Sequence, residues 1–361
     1  MKTRSVNIFL MALALLCAGL FASCSSDDDA PPAVVKTDLL AVIAETNQLL
    51  ATTSEGVAEG NYLKGSQAPL IAAVAAAQAV ADDAGATQET VTNATVALGN
   101  AVIAYGSSIV VPIDPANLVG QWTFDELTSV TVGTNVKDYS GNEFNGTIKA
   151  GHAYWGGGTP ALAEDRYGDE NKALHFNEGS NVEIPYNTAL NPTTISISLW
   201  AKPDVNDPVI NNQYMIAMNR WNGYKLQFQD SPKAFFTVKA DVDGNPDPQY
   251  YDRDNADPLI TQGEWWHIVV TFGEGHMIFY LNGVMVKDWD NTPGTAISQS
   301  AAPVNLIFGQ DLPSDGYSLS DADPNYLNWG GFYIGTLDEI RIYKTVLSAS
   351  QVTSIYDVEK P

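Results

Sequence analysis

Three adjacent acidic pairs, Asp125-Glu126, Glu164-Asp165 and Asp338-Glu339, are the first places where this chain could do acid–base chemistry. Two carboxylates cleave a glycosidic bond only when they flank it from facing positions. Neighbouring residues of a strand point to opposite sides of the sheet, so these pairs diverge if their segments are extended. The four histidines, His152, His175, His267 and His276, lack the close spacing of a metal-binding motif. No Gly-x-Ser-x-Gly elbow and no phosphate loop occurs. Catalysis would therefore need carboxylates dispersed along the chain and assembled by folding.

Oxygen donors offer a second chemistry. Asp138 and Asn142 sit in the turn Asp138-Tyr139-Ser140-Gly141-Asn142, and Asp338 precedes Glu339-Ile340-Arg341-Ile342. If that strand alternates regularly, Asp338 shares the core side with Ile340 and Ile342, and a buried carboxylate needs a partner. Calcium, which takes six to eight oxygens, is one partner. The other reading is an Asx turn at Asp138 and a basic partner for Asp338. The run Asp241-Val242-Asp243-Gly244-Asn245-Pro246-Asp247 also alternates oxygen donors. Its glycine falls too early and no Glu occupies the twelfth position, so it reads as an Asp-Gly turn in an exposed loop.

Aromatic rings in long polar segments are the third resource. Tyr250 and Tyr251 precede Asp252-Arg253, and Tyr317, Tyr326, Asn328 and Trp329 lie in the segment Gly309–Phe332. Trp155, Trp221 and Tyr224 occupy Gly- or Asn-rich settings. Aromatic faces stack on pyranose rings while amides and carboxylates reach the hydroxyls, so these nine residues are the ligand-binding candidates. Long loops are uncommon unless functional or disordered, and binding residues concentrate on them. The same rings could instead cover the edge of a core.

The elements that position these residues fall into two parts. Residues 37–107 are rich in Ala, Val, Leu and Thr and periodic at helical spacing. Leu39, Val42, Ile43, Thr46 and Leu50 form one stripe. Leu70, Val74, Ala77, Ala81 and Ala84 form a second after Pro69, and Val91, Ala94, Leu98, Val102 and Tyr105 a third. Thr87 suits an N-cap with Glu89 in the first turn. Three stripes with short connections predict a small antiparallel helical bundle. Residues 108–117 read as a linker. From residue 118 to 358 the period becomes two: Trp122 and Phe124, Leu174 and Phe176, Val182 and Ile184, and Ile195, Ile197 and Leu199 alternate with polar or smaller neighbours. Ile268, Val270 and Phe272 follow, then Phe279 and Leu281 before Asn282-Gly283, a strong hairpin signal. Many short strands between Gly, Asn and Asp turns predict a mainly β sandwich.

The N-terminus directs the chain out of the cytoplasm. Lys2 and Arg4 precede the apolar run Ile8–Leu20, which is short for a bilayer span. The run ends in Phe21-Ala22-Ser23-Cys24, which resembles the lipobox of bacterial lipoproteins, although Phe21 departs from the usual Leu. The resemblance implies a signal peptide over 1–23 and a lipid on Cys24, the sole cysteine outside that segment. Residues 24–36 are then an acidic and Pro-containing linker, opening Ser25-Ser26-Asp27-Asp28-Asp29. That run resembles the surface-export signal of Gram-negative glycan foragers, which implies an outer-membrane lipoprotein exposed on the cell surface. The chain carries 18 Lys and Arg against 42 Asp and Glu, a formal net charge of −24. Such a balance disfavours nucleic acid and anionic headgroups, leaving the lipid as the contact with the membrane.

Two further resemblances follow from quoted motifs. Ala84-Gly85-Ala86-Thr87 with Val91, Ala94 and Leu98 is similar to the three-helix FIVAR modules of bacterial surface proteins, which act as spacers. In order and spacing, Trp122-Thr123-Phe124-Asp125-Glu126, Asp138-Tyr139-Ser140-Gly141-Asn142, Ala173-Leu174-His175-Phe176, Ser196-Ile197-Ser198-Leu199-Trp200, Trp266-His267-Ile268-Val269-Val270 and Gly335-Thr336-Leu337-Asp338-Glu339-Ile340 resemble the laminin-G-like, concanavalin A-like jelly roll. The resemblance implies a mainly β fold, a concanavalin A-like jelly-roll β-sandwich behind a small N-terminal α-helical bundle, with a structural calcium ion near Asp138, Asn142 and Asp338. Glucanases of that fold carry Glu-x-Asp-x-Glu or a one-residue-longer run along one strand, and no such run occurs here. The reading that follows is a non-catalytic surface lipoprotein that captures carbohydrate beside proteins of a glycan-uptake system. A protein-binding adhesin and a glycoside hydrolase with dispersed carboxylates are the alternatives, since fold alone does not dictate function.

Overall fold

A computed structural model describes residues 33–205, 212–229, 232–299 and 301–361. The expected signal peptide over 1–23 and Cys24 lie outside the described residues. The chain divides into two compact units, Met1–Pro112 and Ile113–Pro361.

In the first unit, helices α1 (Thr37–Thr52), α2 (Gln67–Asp82) and α3 (Gln88–Gly106) bury the expected stripes. Leu39, Val42 and Ile43 meet Leu70, Ala77, Val91, Leu98, Val102 and Tyr105 in one apolar cluster. The Tyr62 and Tyr105 rings stack at 4.1 Å. Thr87 caps α3, accepting the Thr90 N–H while the Thr90 hydroxyl accepts the Thr87 N–H. Ala84 is the exception in the second stripe. Helix α2 ends at Asp82, and the Asp83 carboxylate accepts the Gly85 N–H at 2.8 Å, turning the chain so that Ala84 is exposed.

The second unit is a sandwich of two antiparallel sheets. The first runs in the order Val284–Trp289, His276–Leu281, Trp266–Gly273, Ile195–Pro203, Gly335–Tyr343, Ala173–Phe176, Ala161–Ala163, with Leu118–Trp122 also paired to Gly335–Tyr343. The second runs Gln249–Asp254, Lys233–Asp241, Tyr224–Gln229, Gln213–Met218, Leu306–Phe308, Asn181–Ile184, Gly146–Lys149, Asn135–Val136, with Thr295–Ala296 joined to Lys233–Asp241. Apolar residues at alternate positions of both sheets, among them Ile197, Leu199, Val270, Phe279, Leu226 and Phe236, meet between them. Asn282 and Gly283 take φ of 48° and 77°, the paired left-handed values of a two-residue hairpin turn.

Two strands depart from simple alternation. Leu337 and Ile340 both face the core, three positions apart. Glu339 has φ 50° and the pairing with Ile195–Pro203 slips between Asp338 and Arg341, so a bulge inserts one residue. Asp338 is therefore on the outer side, directly opposite Trp200, and not on the core side with Ile340 and Ile342. The strand Ile195–Pro203 is buried on both faces, including Ser196 and Ser198, where period two alone implies one wet face. Helix α4 (Ala349–Glu359) covers that outer side: Val352 and Leu347 pack on Val269, Tyr280 and Tyr343. Ser348 and Gln351 form the capping box that starts α4.

Candidate functional site

The outer face of the second sheet carries polar residues that alternate with the core. In Tyr224–Gln229, Tyr224, Leu226 and Phe228 point inward, so Lys225 and Gln227 point outward. Cross-strand register places Ile307, Ala217, Lys225, Thr237 and Asp252 in one row, and Tyr214, Gln227 and Phe235 in the next.

Above these rows the chain turns sharply. Asn219 and Arg220 have φ of 60° and 53°, and the short 3-10 turn Arg220–Asn222 follows. A left-handed arginine is uncommon, and this one is held by its side chain. Arg220 is 2 % exposed, and its Nε donates to Asp311 Oδ2 at 2.5 Å. Its Nη1 donates to the Pro324 and Tyr326 carbonyls, both at 3.3 Å. Asp311 also accepts the Tyr317 hydroxyl and the Gly331 N–H. Burial, and next the Asp311 carboxylate, push the Tyr317 hydroxyl well above the ordinary tyrosine range, so it remains a donor. Gly330 closes over the pair, where a Cβ would lie 2.8 Å from both Arg220 Nη2 and Asp311 Oδ1. One buried ion pair thus ties the Gly309–Phe332 loop to the face of the sheet.

The loop brings aromatic rings together. Trp221 and Trp329 lie 6.4 Å apart with planes tilted by 47°, and Tyr326 meets Trp329 edge-on at 5.6 Å. Trp329 is 45 % exposed and Trp221 is half-buried. Trp155 packs on Tyr317 at 4.8 Å and on Phe332 at 5.3 Å, with the His152 ring 6.0 Å from Tyr317. Lys225 Nζ lies 5.4 Å from the Trp221 ring centre and 5.1 Å from that of Tyr214. Tyr317, Tyr326 and Trp329 of one loop thus join Trp155 and Trp221 of two others, and Asn328 is exposed among them, its Nδ2 donating to the Tyr326 hydroxyl at 2.8 Å.

The other three aromatic candidates lie elsewhere. Tyr224 is fully buried in the core and donates its hydroxyl to the Leu190 carbonyl at 2.7 Å. Tyr251 is 8 % exposed, faces the core, and donates to the Pro293 carbonyl. Neither ring can stack on a sugar, because each occupies an inward position of its strand. Tyr250 is on the outer face near the sheet edge, 48 % exposed, with Lys239 Nζ 5.2 Å from its ring centre. Arg220, Lys225, Gln227 and Asp311 were missed among the sequence candidates. The alternation Tyr224-Lys225-Leu226-Gln227-Phe228 carried the signal for Lys225 and Gln227. Nothing local announces that Arg220 and Asp311, 91 positions apart, will pair.

The calcium candidates do not fit one ion. The Asp138 carboxylate accepts N–H groups of Gln121, Ser140 and Phe144 and the Ser140 hydroxyl, all at 2.8–2.9 Å. Asn142 donates its amide to the Leu118 and Val119 carbonyls. Asp338 pairs with Arg166 at 2.7 Å, on the outer side of the sheet, and accepts the Glu339 N–H. Protein donors already fill these carboxylates, and the Asn142 amide is turned to donate. Among the described residues no three His, Cys, Asp or Glu side chains converge as metal ligands. A shallow recess of about 210 Å³, lined by Phe124, Leu127, Val136, Lys137 and Tyr139, lies apart from the aromatic face. Its exposed Lys137 and Glu126 pair with each other at 3.5 Å.

No curated protein matches the chain. Among solved structures, domain 4 of AbnA, a GH43 extracellular arabinanase from Geobacillus stearothermophilus solved with arabinotriose, is 22 % identical with a TM-score of 0.46, covering 66 % of this chain and 98 % of that one. The binding domain of Paraclostridial Mosquitocidal Protein 1 is 19 % identical with a TM-score of 0.45, over 67 % of this chain and 52 % of that one. The ligand-binding domain of botulinum neurotoxin serotype D, solved with N-acetylneuraminic acid, is 14 % identical with a TM-score of 0.43, over 68 % and 52 %. The chain spans about half the length of these two toxin fragments. Residues 176–353 match the family Laminin_G_3, described as the concanavalin A-like lectin/glucanases superfamily. That match and the two antiparallel sheets give this part of the chain the concanavalin A-like fold.

Proposed function

We propose that the outer face of the second sheet binds carbohydrate without cleaving it. The observation that carries this reading is the Trp221–Trp329 pair, partly exposed at the edge of a face whose floor is Lys225 and Gln227. Binding sites combine aromatic area with a few placed polar groups, and sugars need both. The Gln227 Oε1 is buried without a hydrogen-bond partner, an acceptor available to a hydroxyl once the rim shifts. Beside the tryptophan pair, Asp311 is engaged by Arg220 and Tyr317, and Asp252 accepts the Thr237 hydroxyl. Trp329→Ala is expected to weaken binding of the best glycan on an array roughly thirty-fold, about 2 kcal/mol, with an unchanged melting temperature. Wild-type affinity in that variant, measured by calorimetry, sinks the reading. Release of reducing ends from a polysaccharide panel would instead favour hydrolysis.

The domain works outside the cell in this reading, as a lipoprotein displayed on the outer membrane beside a glycan-uptake system, with the helical unit as a FIVAR-like spacer. Cys24 after Phe21-Ala22-Ser23 and the acidic run behind it support that placement. Metabolic labelling with a palmitate analogue is expected to mark the wild type and not Cys24→Ser. Equal labelling of both rejects the anchor.

A further inference from the structure

Resting on the carbohydrate reading of this face, we propose that the site selects sugars bearing an anionic group, a carboxylate or a sulfate ester, through contact with Lys225. Lys225 is 7 % exposed and makes no hydrogen bond or ion pair among the described residues, while its ammonium faces the Tyr214 and Trp221 rings. An ammonium has three donors, and those of Lys225 are not among the fully buried orphans, so they are open to water or to an incoming acceptor.

Neither neighbouring carboxylate pairs with it directly. Asp311, on the Gly309–Phe332 loop, is neutralised by Arg220, on the turn above. Asp252, on the Gln249–Asp254 strand, reaches back to accept the hydroxyl of Thr237, the cross-strand neighbour of Lys225, and its charge acts on the ammonium from there without pairing with it. Tyr214, on the neighbouring strand, has its hydroxyl held above the ordinary range by burial and stays neutral. Lys225 is therefore the cation of this group that faces the aromatic rim without a direct ion-pair partner among the described residues. A neutral sugar would satisfy its donors with hydroxyls, whereas an anionic sugar adds charge-assisted hydrogen bonds, the stronger kind. The chain as a whole is strongly acidic, so its long-range field repels polyanions. Selection must come from this contact and not from steering.

Burial, opposed by Asp311 and Asp252, pulls the Lys225 ammonium down to about 8. It is charged below that value and loses its proton as pH rises through it, while burial keeps the Tyr214 hydroxyl protonated. Preference for the anionic sugar should fade across that rise.

The test is an array of acidic oligosaccharides beside their carboxyl-reduced or desulfated counterparts, probed with the purified protein at pH 6.5 and 9. The expected result is binding roughly ten-fold tighter to the charged member at pH 6.5, in the carboxylate or the sulfate arm. Lys225→Met should erase that preference, bringing the charged and neutral members to equal affinity, and pH 9 should remove most of it in the wild type. Equal binding of charged and neutral members, or a preference that survives Lys225→Met, overturns the inference and leaves the carbohydrate reading standing. Absence of binding to every member overturns both.

Discussion

Replacing Arg220 with alanine is expected to destabilise the second unit by about 3–5 kcal/mol and to abolish the proposed glycan binding together with it. The cause is the group left behind. Asp311 is fully buried and would keep only the Tyr317 hydroxyl and the Gly331 N–H against its charge. The Pro324 and Tyr326 carbonyls would lose the guanidinium as well, so the Gly309–Phe332 loop would lose its tether. Trp329 and Tyr326 ride on that loop and would leave Trp221. Arg220→Lys should recover little, because an ammonium cannot reach Asp311 and two carbonyls with a planar fork. Arg220→Met combined with Asp311→Leu should recover much of the stability, since removing both charges removes the orphan. Urea unfolding gives the stability, and amide exchange over 309–332 gives the loop. An unchanged midpoint with protected loop amides in Arg220→Ala would show that the ion pair does not hold the loop.

Glu359→Ala is expected to undock helix α4 from the first sheet at a cost of about 3 kcal/mol. The Glu359 Oε2 accepts the Trp200 Nε1–H at 2.8 Å, and Oε1 lies 2.5 Å from Arg341 Nη1. Arg166 Nε and the Tyr167 hydroxyl donate to its backbone carbonyl, both at 2.6 Å, and these bonds survive the substitution. Arg341 keeps Glu339 at 2.6 Å, which sets the loss at the low end for a broken buried pair. Glu359→Gln retains an acceptor for Trp200 and should cost less. His267 reports the undocking. It lies fully buried beneath α4, in a cluster of three rings with Tyr356 at 6.0 Å and Trp200 at 5.3 Å. Burial, with help from Arg341 and Arg166, pulls it down to about 3 from its ordinary 6.5. A histidine lowered in this way stabilises the fold above its unfolded value and loses that contribution as pH falls from 6.5 toward 3, because the unfolded chain takes up the proton first. The His267 ring should therefore stay silent in an NMR titration between pH 5 and 8 in the wild type and titrate in Glu359→Ala. A silent ring in the variant would mean that α4 remains in place.

Alternation made the sandwich legible before any coordinates. Ile195, Ile197, Leu199, Ile268, Val270, Phe272, Phe279 and Leu281 read as inward at every second residue and all are inward. The helical stripes were legible for the same reason, a repeat of 3.6 residues that places Leu39, Val42 and Ile43 on one side. Tyr224 and Tyr251 show where composition misled. Their segments are rich in polar residues, yet each tyrosine occupies an inward slot of a strand. Asp338 shows the limit of alternation itself: one bulged residue at Glu339 exchanged its face.

What the chain determined by itself, then, is the period of each element, the turns between them and the identity of the aromatic loop residues, because these depend on neighbours a few positions apart. The tertiary structure alone decided which carboxylates are already spoken for, which rings meet, and that Lys225 meets two rings with no hydrogen bond or ion pair among the described residues. Those outcomes depend on pairs such as Arg220 with Asp311 and Arg166 with Asp338, separated by 91 and 172 residues. A buried charge is satisfied by whatever the fold brings beside it, and no local pattern encodes that neighbour.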